Sequence, residues 1–176
     1  MEYAINELKG INKLNNTIEA MFKALGYSEI KCTFGLDFCY YYDGSNEIEY
    51  SLISMPEVDE AFKEYIQNKF TNIPYCSMFT FSLLHELGHH ITMPQISKKE
   101  LKKARKAKKR IENKIKNNPT PKKLKEMQIK YCSLIDEKLA TNKAMEILKK
   151  YYFTIDKYDK MIYNNIIEFY KINNVE

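Results

Sequence analysis

His85-Glu86-Leu87-Gly88-His89 holds the residue types, at the spacing, that catalysis by a bound metal ion requires. On a helix, side chains four apart share a face, so His85 and His89 can offer two imidazole nitrogens to one tetrahedral ion. Glu86 stands about 100° further round the helix and reaches water on that ion rather than the ion itself. Zn2+ suits this donor set; it would lower the pKa of the water and polarise a carbonyl, leaving Glu86 to act as general base and then general acid. The chain has only three histidines, and all fall between positions 85 and 90. A lone core histidine does not explain two at ligand spacing around a glutamate. His90 points off the ligand face and is expected at the surface or behind a ligand.

A catalytic zinc needs a third protein ligand, and no histidine remains to supply it. The extended pattern HExxHxxGxxH would require Gly where Thr92 stands and His where Gln95 stands. The third ligand is therefore a carboxylate or a cysteine. Downstream carboxylates include Glu100, Glu112, Glu126, Asp136, Glu137 and Glu146. Glu137 stands out because Ala140, Thr141 and Ala144 follow at i+3, i+4 and i+7, a small-residue stripe that lets one helix lie close against another. Glu100, Glu112 and Glu126 lie among lysines and read as solvated charges. Asp136, offset by one position, suits a partner behind a ligand histidine.

These residues need elements to position them. Apolar residues three and four apart over 3–25, ending at Gly26, predict a helix with a glycine C-terminal cap. The cluster Asp43-Gly44-Ser45-Asn46, flanked by β-branched and aromatic residues at 38–42 and 48–53, predicts a hairpin, with a third strand near 31–34. Pro56 opens a short amphipathic helix using Val58, Phe62, Tyr65, Ile66 and Phe70. Residues 77–92, apolar ahead of the motif, predict a buried helix with Ser77 or Thr71 as its cap and Pro94 as its end. Ser97-Lys98-Lys99-Glu100 fits a capping box and begins a basic helix running to about Lys116. A second helix starts at Thr120-Pro121 and carries apolar positions through Leu148, and a last one covers 151–170 with Thr154 as its cap. The fold expected is α+β, with a small antiparallel sheet of about three strands packed on the motif helix and several further helices. Residues 1–176 read as one domain.

Residues 98–130 hold 15 Lys and Arg against three Glu, while the rest of the chain holds 13 basic against 20 acidic residues. A basic helical-hairpin insertion on an acidic body is thus expected, turning at 117–121, projecting outward and dispensable for zinc binding. It invites contact with nucleic acid or an acidic protein, although its cations are nearly all lysines, which grip phosphate without reading bases. The plain alternative is a solvated helical face. Cys32, Cys39, Cys76 and Cys132 show no CxxC pairing, and residues 1–7 show no signal-peptide pattern. Reduced thiols, a cytoplasmic location and no membrane span are expected.

His85-Glu86-Leu87-Gly88-His89 followed by Glu137-Lys138-Leu139-Ala140-Thr141-Asn142-Lys143-Ala144 resembles the HELGH and ExxAxxxA signatures of the ImmA/IrrE-type metallopeptidases, small gluzincins of bacteria and mobile elements. The resemblance covers about residues 45–150. It implies a zincin-like fold, zinc held by His85, His89 and Glu137, Glu86 as catalytic base, and 48–53 as the edge strand on which substrate lies. It also implies a regulatory endopeptidase acting on a specific protein partner such as a helix-turn-helix repressor. Two departures stand out: Lys143 occupies a position usually aromatic, and the link from HELGH to the glutamate is longer than usual. The hairpin at 98–130 is therefore extra. A different class is a non-catalytic protein in which zinc holds the fold and the hairpin docks nucleic acid or an acidic protein. A DNA-associated protease of the SprT-like kind would take a third histidine, which this chain lacks. The 14 tyrosines are too many candidates to single out an oxyanion-stabilising residue.

Overall fold

The computed structural model describes residues 2–35, 39–52, 74–117 and 120–172, with side chains from Gly10 onward in the first helix. Leu14, Ile18, Met21 and Phe22 recur at helical spacing on α1 (Glu2–Ala24) and are wholly buried. Gly26, at φ +96°, ends the helix: its amide bonds Lys23 O at 3.0 Å and the Tyr27 amide bonds Phe22 O at 2.8 Å. That is the reciprocal C-terminal cap expected of a glycine there.

Three short strands follow: β1 (Lys31–Phe34), β2 (Tyr40–Tyr42) and β3 (Glu47–Tyr50). Their spatial order is β1-β3-β2; β3 runs parallel to β1 and antiparallel to β2. The hairpin is present, but the sheet is mixed rather than antiparallel. Ile48 and Tyr50 are fully buried, so β3 carries the most apolar strand face and takes the centre. Reversal at each connection leaves β1 and β3 pointing the same way, side by side. Cys32, Ile48 and Tyr41 lie in register and form one inward row, while Tyr40 and Tyr42 face outward from the edge strand β2. The strand expected at 48–53 as a substrate edge is thus central over its described part. Ile53 and the short helix expected after Pro56 lie outside the described residues.

Helix α2 (Met78–Thr92) carries the motif, and every residue from Thr80 to His89 on it is buried. Leu83, Leu84 and Leu87 are completely enclosed, each worth roughly 1.5–3 kcal/mol against exposure. A 3-10 turn (Met93–Gln95) follows, with Pro94 where no further α-helix is possible. Ser97 and Glu100 form the expected capping box at the start of α3 (Lys98–Ile115). Helix α4 (Pro121–Cys132) runs back along α3.

The chain does not continue as one helix to Leu148. Ser133 and Leu134 break it, with Leu134 extended at ψ 148° and Ser133 Oγ bonding Lys130 O at 2.7 Å. A serine hydroxyl competes with the helical ladder in this way. The break redirects α5 (Ile135–Lys150) so that it packs against α2, the most extensive helix pairing among the described residues. Helix α6 (Tyr152–Ile172) begins ahead of Thr154, which lies inside it rather than capping it. It packs on α1, where Asn165 Nδ2 donates to Thr17 Oγ1 at 2.8 Å in the interior. The described residues thus make an α+β fold with one three-stranded sheet and six helices. No helix among them is long and apolar enough to cross a membrane.

Candidate metal centre

Ser77 fixes the start of α2. Its hydroxyl accepts from Thr80 N at 3.1 Å and donates to Asp159 on α6 at 2.5 Å, and its own amide donates to the same carboxylate at 3.0 Å. An N-cap of this kind contributes about 1 kcal/mol and ties the helix start to the opposite side of the core. About three turns on, Gly88 meets α5. A Cβ there would lie 2.3 Å from Ala140 O and 2.9 Å from Ala140 Cα, so only glycine permits this approach. Ala140 and Ala144 supply the matching flat surface and are wholly buried.

The approach carries Glu137 onto the histidines. Its Oε2 lies 3.1 Å from His85 Nε2 and 3.7 Å from His89 Nε2. The three ligand atoms sit within 4.8 Å of one another, and His85, His89 and Glu137 are all buried. Tetrahedral zinc with ligand bonds near 2.0–2.1 Å separates its ligand atoms by about 3.4 Å. The observed spacing therefore fits, and the group could hold a metal ion. Thr141 Oγ1 lies 3.2 Å from His85 Nδ1; with the proton on Nδ1, the Nε2 lone pair faces the centre. His89 Nδ1 is buried without a hydrogen-bond partner among the described residues.

Burial works against ionising Glu137, but hydrogen bonds and charge from His85 and His89 outweigh it and hold the carboxyl well below the usual carboxylate range. Glu86, one position from His85, is pushed the other way, to about 7. Burial is the main cause; Glu137 adds to it, while His85, Lys108 and a hydrogen bond from the Tyr41 amide oppose it. That bond, Tyr41 N to Glu86 Oε2 at 2.9 Å, joins the outward-facing edge of β2 to the motif. A carboxyl that releases its proton near neutral pH is suited to taking one from water and returning it.

Among the other acids, Glu100 is spent on the Ser97 cap and Glu146 pairs with Lys143 at 2.6 Å. Glu112 and Glu126 are exposed. Asp136 is buried, but its Oδ1 bonds nothing, and it is Thr141 rather than Asp136 that stands behind His85. The four cysteines form no disulfide, and none joins the ligand group. Burial pushes the Cys32 and Cys39 thiols up, and that of Cys76 to about 12, the opposite of what a thiolate ligand needs. His90 turns away from the centre, with Nδ1 3.0 Å from Tyr41 Oη and Nε2 3.2 Å from Glu29 Oε1.

Two residues went unforeseen. Lys108 Nζ on α3 donates to Glu137 Oε1 at 2.7 Å and lies 4.8 Å from the centroid of the Tyr131 ring on α4. Burial disfavours its charge, yet Glu137 raises its pKa above the ordinary lysine range. Tyr131 is likewise pushed up, by burial and then by Glu137, and stays a neutral phenol. One sequence signal marks Lys108: it falls on the stripe Leu101, Ala104, Ile111 and Ile115, the one apolar face of an otherwise lysine-rich helix. The hairpin is therefore packed against the metal centre through this face. Comparisons with family models, curated proteins and solved structures give no match to this chain.

Proposed function

We propose that this chain is a zinc-dependent endopeptidase of the ImmA/IrrE type with a zincin-like fold, a regulatory protease acting on a specific protein partner such as a helix-turn-helix repressor of a mobile element. The observation that carries it is the buried convergence of His85, His89 and Glu137 on one point, with Glu86 next to His85 on the same helix. Zinc bound there would polarise the scissile carbonyl and acidify the attacking water. Glu86 takes the proton from that water and delivers it to the leaving amine nitrogen. His85 and Glu137 are held for their task by Thr141 and by the close contact of Gly88 with Ala140. An extended substrate needs a strand edge to pair with, and since β3 is central, the edge beside Glu86 is that of β2.

The test is metal analysis of the purified chain together with a search for a cleaved partner among co-expressed neighbours. Bound zinc at one equivalent and cleavage lost in Glu86→Gln support a peptidase. Function that survives Glu86→Gln but fails on charge reversal in 98–116 supports instead a zinc-stabilised binding protein. One feature favours that second reading: a groove of about 660 Å³ between α3 and the β2–β3 turn, where Lys98, Lys102, Arg105, Lys106 and Lys109 outnumber the one acid, Asp43, which pairs with Arg105. It offers a cationic face to a phosphate backbone or an acidic protein.

A further inference from the structure

We infer that Lys108 is a positioning residue for the metal ligand Glu137, which makes the basic hairpin a working part of the metal centre. This rests on the metal reading of His85, His89 and Glu137. A carboxylate has two oxygens, and here they have different employers. Oε2 faces the two imidazoles, while Oε1 accepts from Lys108 Nζ at 2.7 Å. With Oε1 held, the carboxylate presents one oxygen to the ion and cannot swing to present two.

The placement of Lys108 is built from both helices of the hairpin. Ala104, one turn earlier on α3, is buried and lets α3 lie close over the site. Tyr131, from α4, sets its ring beneath the ammonium, a favourable contact for a partly desolvated cation. Only about a quarter of the Lys108 side chain is exposed, at 23%, against 7% for that of Glu137. A buried ammonium without its carboxylate would be costly, and so would this carboxylate without a cation or metal. Lysines elsewhere on α3 reach water; Lys108 reaches a ligand. Hydrogen-bonded partners behind metal ligands typically govern metal affinity by 10–100-fold when removed. The opposing effect is repulsion between the ammonium and a dication, which predicts the reverse sign, so the sign of the change decides.

The experiment uses the full chain and its Lys108→Met, Lys108→Gln and Lys108→Arg variants. Zn2+ and Co2+ dissociation constants are measured by competition with a chelating dye, the Co2+ visible spectrum is recorded, and metal-free circular dichroism checks folding. Lys108→Met is expected to bind both metals roughly 10–100-fold more weakly, with a Co2+ spectrum altered toward higher coordination as the second carboxylate oxygen becomes available. Lys108→Arg, which keeps charge and donor, is expected to stay within a few fold of the parent. Unchanged or tighter binding in folded Lys108→Met overturns the inference. Should that variant fail to fold, Lys108→Gln decides on the same terms: it is expected about tenfold weaker, and unchanged affinity overturns the inference. A parent chain that binds neither metal would overturn the metal reading itself, a result distinct from equal binding by parent and variants.

Discussion

Helices α2 and α5 bring Glu137 to the histidines by having almost nothing between them, whereas α3 reaches the same carboxylate with a long, flexible lysine side chain. At the first contact, Gly88 lies against the Ala140 backbone and the ligand side chains are short. At the second, a lysine stem spans the gap and places only its tip on Glu137 Oε1. The first pairing leaves no room for adjustment, because a Cβ at Gly88 would meet the backbone of Ala140. The second leaves room, because a lysine can settle from several backbone positions. Short reach gives geometric precision, and long reach gives tolerance. The candidate centre therefore takes the placement of its three side chains from α2 and α5, while the hairpin, through Lys108, supplies charge balance and occupies one oxygen of Glu137.

The largest effects should come from the precise half. Glu137→Ala removes one of the three proposed protein ligands and is expected to weaken zinc binding by at least about a hundredfold, measured by dye competition. Glu86→Gln should leave zinc affinity within a few fold while lowering cleavage of any identified substrate by about 10²–10⁴; a fall in both would mean Glu86 has a structural rather than a proton-carrying part. Next comes the helix contact. Gly88→Ala forces a methyl group onto the Ala140 carbonyl and should cost about 1–3 kcal/mol in denaturant unfolding, with zinc affinity falling alongside because the ligands move apart. A variant as stable as the parent would show that the two helices are not held at this distance.

A smaller effect is expected behind His85. Thr141→Val keeps the volume but removes the hydroxyl beside Nδ1, and zinc affinity should fall about tenfold with little change in folding. The smallest effect sharpens the comparison within α3 itself. Replacing Lys102, Arg105, Lys106 and Lys109 together by Ala should leave zinc affinity unchanged and alter stability only slightly, within about 0.5 kcal/mol per site. Any salt-sensitive binding to DNA or an acidic protein would be lost in that variant. Loss of zinc from it would erase the distinction between Lys108 and its neighbours.

Much of the centre was legible in the chain. Four-residue spacing puts His85 and His89 on one helical face whatever the rest of the fold does, because the helix period is set by backbone hydrogen bonding. The stripe Glu137, Ala140, Thr141, Ala144 likewise announces a close helix contact with a carboxylate at its end. Local chemistry also fixed the Gly26 cap, the Ser97–Glu100 capping box and the turn at 43–46, since each is satisfied by neighbours within a few residues. Other features depend on how elements approach one another in space. The parallel pairing of β1 with β3 follows from which strand buries Ile48 and Tyr50 at the centre, and the direction α5 takes after the break at Ser133 from its packing on α2. Tyr41 N meets Glu86 because β2 is an edge strand laid over α2. Periodicity places Lys108 on the apolar stripe of α3, but only the packing of α3 over α5 gives it Glu137 as a partner. Periodicity specifies which face a residue occupies; the partner a long side chain finds is decided by interhelical distance and angle, which only the tertiary structure sets.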